Sequence, residues 1–347
     1  MTQINWDSLG FDAYHTRTVI FSQFKDGAWS PLQSTEEFSF TLDPFAQVLH
    51  YAISCFEGLK AFRQQDGGAI IFRPDQNAAR MKRTAEYLGL PFPGDDVFIK
   101  ACEECVRGNI EFLPPYGHKA SLYLRPILMG IHPQMQLVPY PEALFAVICA
   151  PVGSYYGEHL RTFTGVIPGD FDRCAPHGSG SYKLGANYAS TFRPYQMAHD
   201  QGYTELLFVN SGKREYIDEF GSSNFFGIKD GTYLTPLSDS VLPSITNKSL
   251  RTVAEDLGMK VERRPVHIDE MDTFEEAAAC GTAVVITPMS RIDMKPVLGA
   301  PDISRSFIFR PDGTVGPACN RLYREITGIQ FGEIPDRHSW CYKVEGA

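Results

Sequence analysis

Lys183 stands alone among small residues in "HGSGSYKLGANYAS", residues 177–190. A lysine becomes a useful nucleophile toward a carbonyl when burial or a nearby cation lowers its pKa. The same stretch also suits a loop that carries an exposed lysine. It does not suit a P-loop, because Leu184 follows where Ser or Thr is required. A second stretch, "REYIDEFGSSNFFGI", places Glu219 between an apolar segment and a "GSSN" turn. That carboxylate either caps the turn or faces a heterocyclic nitrogen, keeping a pyridine protonated as an electron sink. In "LPSITNKSL", Ser244 and Thr246 stand where a helix begins. Plain N-capping explains them, and so does an anion at the unpaired N–H groups of a helix start. In "CGTAVVITP", Gly281 and Thr282 open a strand and offer a hydroxyl and N–H groups to another anion. Arg80, in "NAARMKR", is a candidate charge-assisted phosphate ligand.

The elements that position these residues fall into two halves. In the first, "TRTVIFSQF", "GAIIFRP", "KASLYLRPILMGI" and "ALFAVICAPVG" read as strands. "PDQNAARMKRTAEYLGLP" reads as a helix opened by Pro and Asp and closed near Gly89. In the second, "ANYASTFRPYQMAHDQG" is helical, with a kink or a new start at Pro194. "TELLFVN", "FFGIKDGTYLTP" and "TAVVITP" are strands, and "SITNKSLRTVAEDLGMKV" is a helix ended by Gly258. Residues 1–157 make a small N-terminal domain, 158–172 a connection and 173–347 a larger domain. The fold class is mixed α/β.

Composition excludes several classes. The 347 residues carry a net charge of −9 with no Lys/Arg run, which argues against nucleic acid and anionic membrane as partners. No signal peptide, transit peptide or transmembrane stretch is evident, so a cytoplasmic location is expected. Eight scattered cysteines form no disulfide framework. The one C-x-x-C pair is Cys102 and Cys105, and Cys102 lies on an apolar stripe with Ile99, Val106, Ile110 and Leu113. The pair reads as core packing rather than a redox or metal site, and no metal is expected.

Taken together, the five candidates describe one ligand with a phosphate, a pyridinium nitrogen and an aldehyde, which is pyridoxal 5′-phosphate (PLP). The motifs "FEGLKAF", "ARMKRTA", "SLYLRP", "YKLGANYA", "EFGSSNFF", "LPSITNKSL" and "GTAVVITP" follow in that order. In them the chain resembles the branched-chain amino acid aminotransferases of PLP fold type IV, from "HYAISCFEGLKAFR" through "IQFGEIPDRHSW".

The resemblance implies a two-domain fold type IV enzyme. It would exchange the amino group of L-leucine, L-isoleucine or L-valine with 2-oxoglutarate by a ping-pong mechanism. It assigns Lys183 as the covalent PLP anchor and proton carrier, Glu219 as the acid at the pyridine nitrogen and Tyr188 as the partner of the phenolic oxygen. Arg80 and Thr282 match phosphate ligands, as do the backbone N–H groups of Ile245 and Thr246, and Arg173 matches an arginine near the cofactor. Tyr51, Phe56, Tyr123 and Tyr155 match the side-chain pocket. The turn at Thr282 and Ala283 matches the α-carboxylate site. Arg125 matches the partner of glutamate's distal carboxylate. Leu137 would reach across the interface of a homodimer or larger assembly. An aromatic wall buries a leucine-like side chain, while tyrosine hydroxyls and an arginine meet the carboxylate that otherwise would be costly to bury.

One family feature is missing. Some members carry a redox C-x-x-C after the "GTA" threonine, where this chain has Val284 and Thr287. D-amino acid aminotransferases and aminodeoxychorismate lyases share the lysine and the glutamate and stay open as alternatives. "FEGLKAFR" with "SLYLRP" favours the branched-chain group. The reversible transfer fits the last step of synthesis or the first of breakdown.

Overall fold

The computed structural model describes residues 4–153 and 160–346. Its contacts gather into two compact units. One comprises residues 1–157, 182–186 and 328–347, the other residues 158–181 and 187–327.

In the first unit, the described residues include a nine-stranded sheet. Its Ser121–Gly130 strand runs antiparallel to Ala143–Val152. On the other side two short strands, Ser54–Phe56 and Leu59–Arg63, share its length. They break at Glu57 and Gly58, opposite Pro126 and Arg125. Proline has no N–H, so an unbroken ladder would lack a donor there. The Pro126 carbonyl instead accepts the Glu57 N–H at 2.8 Å. Side chains alternate across the sheet. Leu122, Leu124 and Leu128 are fully buried in a core with Met81 and Phe98. Tyr123, Arg125 and Ile127 are half-buried on the opposite face. Phe56 pairs with Ile127 and Lys60 with Tyr123, so both share that face.

The expected helix runs Pro74–Leu88, with Pro74 at its start and Gly89 in the left-handed region closing it. The second helix, Asp95–Gly108, buries Cys102, Cys105 and Val106 completely. Ile110 of the expected stripe falls instead in a following 3₁₀ turn, Ile110–Phe112. All eight cysteines are free.

The second unit holds another nine-stranded sheet among the described residues. Phe163–Pro168, inside the stretch read as a connection, is one of its strands. It lies parallel to both Glu205–Val209 and Val285–Lys295. The helical pattern after Lys183 divides into Gly185–Ala189 and Phe192–His199. Pro194 sits in the first turn of the latter, where its missing N–H costs nothing. "FFGIKDGTYLTP" is a hairpin rather than one strand. Asn224–Lys229 and Thr232–Pro236 pair around Asp230 and Gly231, both with positive φ, as a tight primed turn requires. "CGTAVVITP" is corrected in the same way. Gly281 closes the strand Glu276–Gly281 and Val285 opens Val285–Lys295, so Thr282 lies in the turn between them. Among the described residues, no helix is long and apolar enough to cross a membrane.

Candidate active site

Lys183 belongs to the first unit, where its backbone extends the sheet edge. Its carbonyl accepts the Phe56 N–H at 3.2 Å, and Leu184 bridges Cys55. Its N–H donates to Thr84 Oγ1 at 3.3 Å. Lys183 Nζ lies 4.7 Å from the centroid of the Phe56 ring. The Arg125 guanidinium also lies 4.7 Å from that ring and 5.3 Å from the ring of Tyr123, and Nη2 donates to the Tyr123 hydroxyl at 3.3 Å. Aromatic faces attract such cations. Gly58 makes room for this arrangement, since a Cβ there would stand 1.9 Å from the Tyr123 hydroxyl. The fold thus groups Lys183, Phe56, Tyr123 and Arg125. Small residues near the lysine serve the chain's own packing in at least one place. A Cβ on Gly180 would stand 2.3 Å from the Ser240 carbonyl oxygen and 2.4 Å from Cys174 Sγ.

Arg80 forms a bidentate ion pair with Glu57. Nε reaches Oε1 at 2.8 Å and Nη2 reaches Oε2 at 2.7 Å. Asn77 Nδ2 donates to the same Oε2 at 2.7 Å. Glu57 is completely buried and Arg80 nearly so. The planar fork fits a carboxylate in two parallel bonds. Glu57 is a residue that sequence reasoning missed, although it sits inside "FEGLKAF".

Tyr51 and Leu137 lie elsewhere. They line a cavity of about 160 Å³ with Gln47, Leu90, Val138 and Tyr140. None of Phe56, Tyr123 and Arg125 lines it. The Tyr51 hydroxyl donates to the Met135 carbonyl at 2.6 Å, and Leu137 is 80% exposed. Tyr155 lies outside the described residues.

In the second unit Glu219 sits on the strand Ile217–Phe220 and is buried. Oε1 faces Arg173 Nη1 at 2.9 Å and accepts the Leu242 N–H at 2.8 Å, while Oε2 accepts from Asn224 Nδ2 at 2.8 Å. Burial pushes this carboxyl up to about 7. Arg173 opposes that most strongly, followed by the Leu242 and Asn224 hydrogen bonds. Arg173 is fixed in turn by the carbonyls of Ser240 at 3.0 Å and Gly180 at 3.3 Å. Tyr188 lies close enough to add to its field.

The helix Ile245–Asp256 begins at Ser244, whose hydroxyl accepts the Asn247 N–H at 3.2 Å. Ile245 and Thr246 are buried at its first turn, where N–H groups have no intrahelical acceptor. A buried polar chain ties this turn to Glu219. Asn247 Nδ2 donates to Asn224 Oδ1 at 3.0 Å and to Thr235 Oγ1 at 2.8 Å, and the Tyr233 hydroxyl donates to Asn247 Oδ1 at 3.1 Å. Asn224 and Asn247 were not singled out from the sequence. The turn bearing Thr282 and Ala283 ends at Val285, with φ of 65°. A β-branched residue pays for that conformation in strain, which accumulates at ligand sites.

The amino-transferase class IV family matches residues 54–292. The branched-chain-amino-acid aminotransferase of Haemophilus influenzae is 40% identical, covering 99% of this chain and 100% of that protein. The chain belongs to this family. The Helicobacter pylori branched-chain-amino-acid aminotransferase is 39% identical over 99% of both chains. The Escherichia coli branched-chain amino acid aminotransferase superposes with a TM-score of 0.79 at 25% identity, over 95% of this chain and 100% of that one. The T.th. branched-chain amino acid aminotransferase with pyridoxamine 5′-phosphate gives 0.75 at 25% identity, over 95% and 99%. Fold type IV and aminotransferase chemistry are therefore properties of this chain.

Proposed function

We propose that the protein transfers the amino group between branched-chain L-amino acids and 2-oxoglutarate, with PLP as the carrier. The observation that carries the reading is the buried chain from Glu219 through Asn224 and Asn247 to the start of the Ile245–Asp256 helix. It holds an acid and an anion-binding helix start in one rigid network.

The residues fit the cofactor. Two buried N–H groups, of Ile245 and Thr246, suit a phosphate. A carboxylate has about four acceptor positions, and Oε2 of Glu219 uses one for Asn224, which leaves a place for a ring N–H. When bound, PLP supplies a carbonyl that takes up the amino group and a ring that stores the electrons of the Cα bond.

Each side chain then has a task. Lys183 anchors the cofactor and takes the proton at the substrate Cα. Glu219 holds a proton at the ring nitrogen, and Arg173 holds Glu219. Tyr188 donates to the phenolic oxygen. Arg80, steadied by Glu57, and Thr282 bind phosphate, and the N–H groups at Thr282 and Ala283 bind the α-carboxylate. Phe56, Tyr123 and Tyr155 line the side-chain pocket, and Leu137, which lies with Tyr51 in a separate cavity of this chain, reaches it across the interface of the assembly. Arg125 meets the distal carboxylate of glutamate. The protein works as a cytoplasmic homodimer or larger assembly. The exposed Met135, Leu137, Leu49 and Phe45 support self-association.

Absorbance tests this reading. The visible band of the PLP-loaded protein should bleach with L-leucine and return with 2-oxoglutarate. Bleaching with D-alanine alone would overturn the substrate assignment. Arg125→Ala should slow the glutamate half-reaction tenfold or more beyond the leucine one, since a buried carboxylate would lose its partner. Equal losses in stopped-flow half-reactions would make Arg125 a structural residue.

A further inference from the structure

Helix Pro74–Leu88 carries three buried polar side chains at positions i, i+3 and i+7: Asn77, Arg80 and Thr84. That spacing puts them on one helical face. Asn77 and Arg80 both grip Glu57. Thr84 does something different. Its hydroxyl donates to the Arg80 carbonyl at 2.9 Å and accepts the Lys183 N–H at 3.3 Å, and the side chain is completely buried. A hydroxyl has one proton and two lone pairs, so both bonds are satisfied together. On its other side the Lys183 backbone accepts the Phe56 N–H, and the Phe56 ring lies near Nζ.

We propose that Thr84 is a positioning residue for Lys183. Its hydroxyl fixes the lysine backbone to the helix that bears Arg80, and so sets where Nζ stands. This rests on Lys183 being the anchor and proton carrier of the proposed function. The physical reason is reach. A lysine Nζ stands at the end of four rotatable bonds, so its position depends on how firmly the backbone is held. Misplacing a reacting group by about 1 Å costs up to about a hundredfold in rate. A threonine that merely filled space would be replaced by valine without effect, since the two have nearly the same shape. A hydroxyl that carries the Lys183 N–H would not.

The test compares Thr84→Val with Thr84→Ser. In the apoprotein, deuterium exchange of the peptide containing Lys183 should speed about tenfold or more in Thr84→Val and stay near parental in Thr84→Ser, because losing one buried hydrogen bond changes opening by roughly that factor. In the PLP-loaded enzyme, Thr84→Val should shift the pH midpoint of the visible band by about half a unit or more. Its kcat should fall about tenfold with KM for L-leucine little changed. Thr84→Ser should restore both. Parental exchange and a parental midpoint in Thr84→Val would overturn the proposal, and so would a Thr84→Ser enzyme as impaired as Thr84→Val. If Thr84→Val does not fold, Thr84→Ser against Thr84→Ala decides by the same readouts. A parent enzyme with no visible band on adding PLP would instead refute the function itself, apart from anything Thr84 does.

Discussion

Lys183→Ala should still bind PLP while turning over at least about a thousandfold more slowly. Two contributions disappear with one side chain. The amine that anchors the cofactor is a nucleophile, and the same amine moves the proton at the substrate Cα, a general-base contribution of about 10²–10⁴. Binding should survive because its main determinants are elsewhere in the chain. The Ile245 and Thr246 N–H groups and the buried Glu219 are untouched. The fold should survive too. Lys183 joins the sheet edge through its backbone, by the Phe56 N–H and Thr84 Oγ1, and alanine keeps both groups. Borohydride treatment followed by mass measurement should show covalent cofactor in the parent and none in the variant. Equilibrium dialysis should show PLP retained in both. A variant with parental turnover would overturn the assignment of Lys183. A variant that cannot retain PLP would mean that the covalent bond supplies most of the affinity.

Local features of this protein were legible from the sequence, and those assembled from distant segments were not. The ends of the Pro74–Leu88 helix and the Ser244 cap follow from nearest-neighbour chemistry, a proline, a glycine and a serine in the right places. Lys183 stood out as the one charge in a run of small residues, and Glu219 as a carboxylate placed just before the "GSSN" turn. The Asp230-Gly231 turn was readable by the same rules, and its dipeptide is a strong hairpin signal, yet the apolar residues on both sides read as one strand. Phe163–Pro168 escaped because a six-residue strand between glycine-rich segments has too little periodicity to separate from loop.

Glu57 is a different case. Its role depends on a ladder break opposite Pro126 and on the helix face of Asn77 and Arg80, and no local pattern contains those three segments together. Asn224 and Asn247 likewise lie in separate elements and become a relay only once the strand and the helix pack. The spacing of Asn77, Arg80 and Thr84 was visible on a predicted helix. What it faces was not.

Glu219→Gln should lower turnover by about 10²–10³, the usual cost of removing a preorganised electrostatic partner of a reacting system. The amide can still occupy the same volume, but it has no charge with which to hold a proton on a ring nitrogen, and its NH₂ group must face either Asn224 Nδ2 or Arg173. The same substitution has a pH signature in the apoprotein. Burial is the largest influence on the Glu219 carboxyl and pushes it up to about 7 from an ordinary value of 4.5. Arg173, the Leu242 N–H and Asn224 pull it down, and Asp218 adds a smaller upward push. Cys280 also lies within its field. The folded state therefore holds this proton more tightly than the unfolded state does. The stability it contributes is complete below about pH 4.5 and is lost as pH rises through about 7. Glutamine does not titrate, so the variant escapes that loss. Relative to the parent it should gain up to about 3 kcal/mol between pH 4.5 and pH 8. Glu205, also pushed up to about 7 by burial, is present in both proteins and cancels in the comparison. Urea unfolding of the two apoproteins at several pH values measures the difference. A variant that loses ground against its parent over this range would show that Arg173, not burial, governs the carboxyl, and that Glu219 is held as a permanent anion.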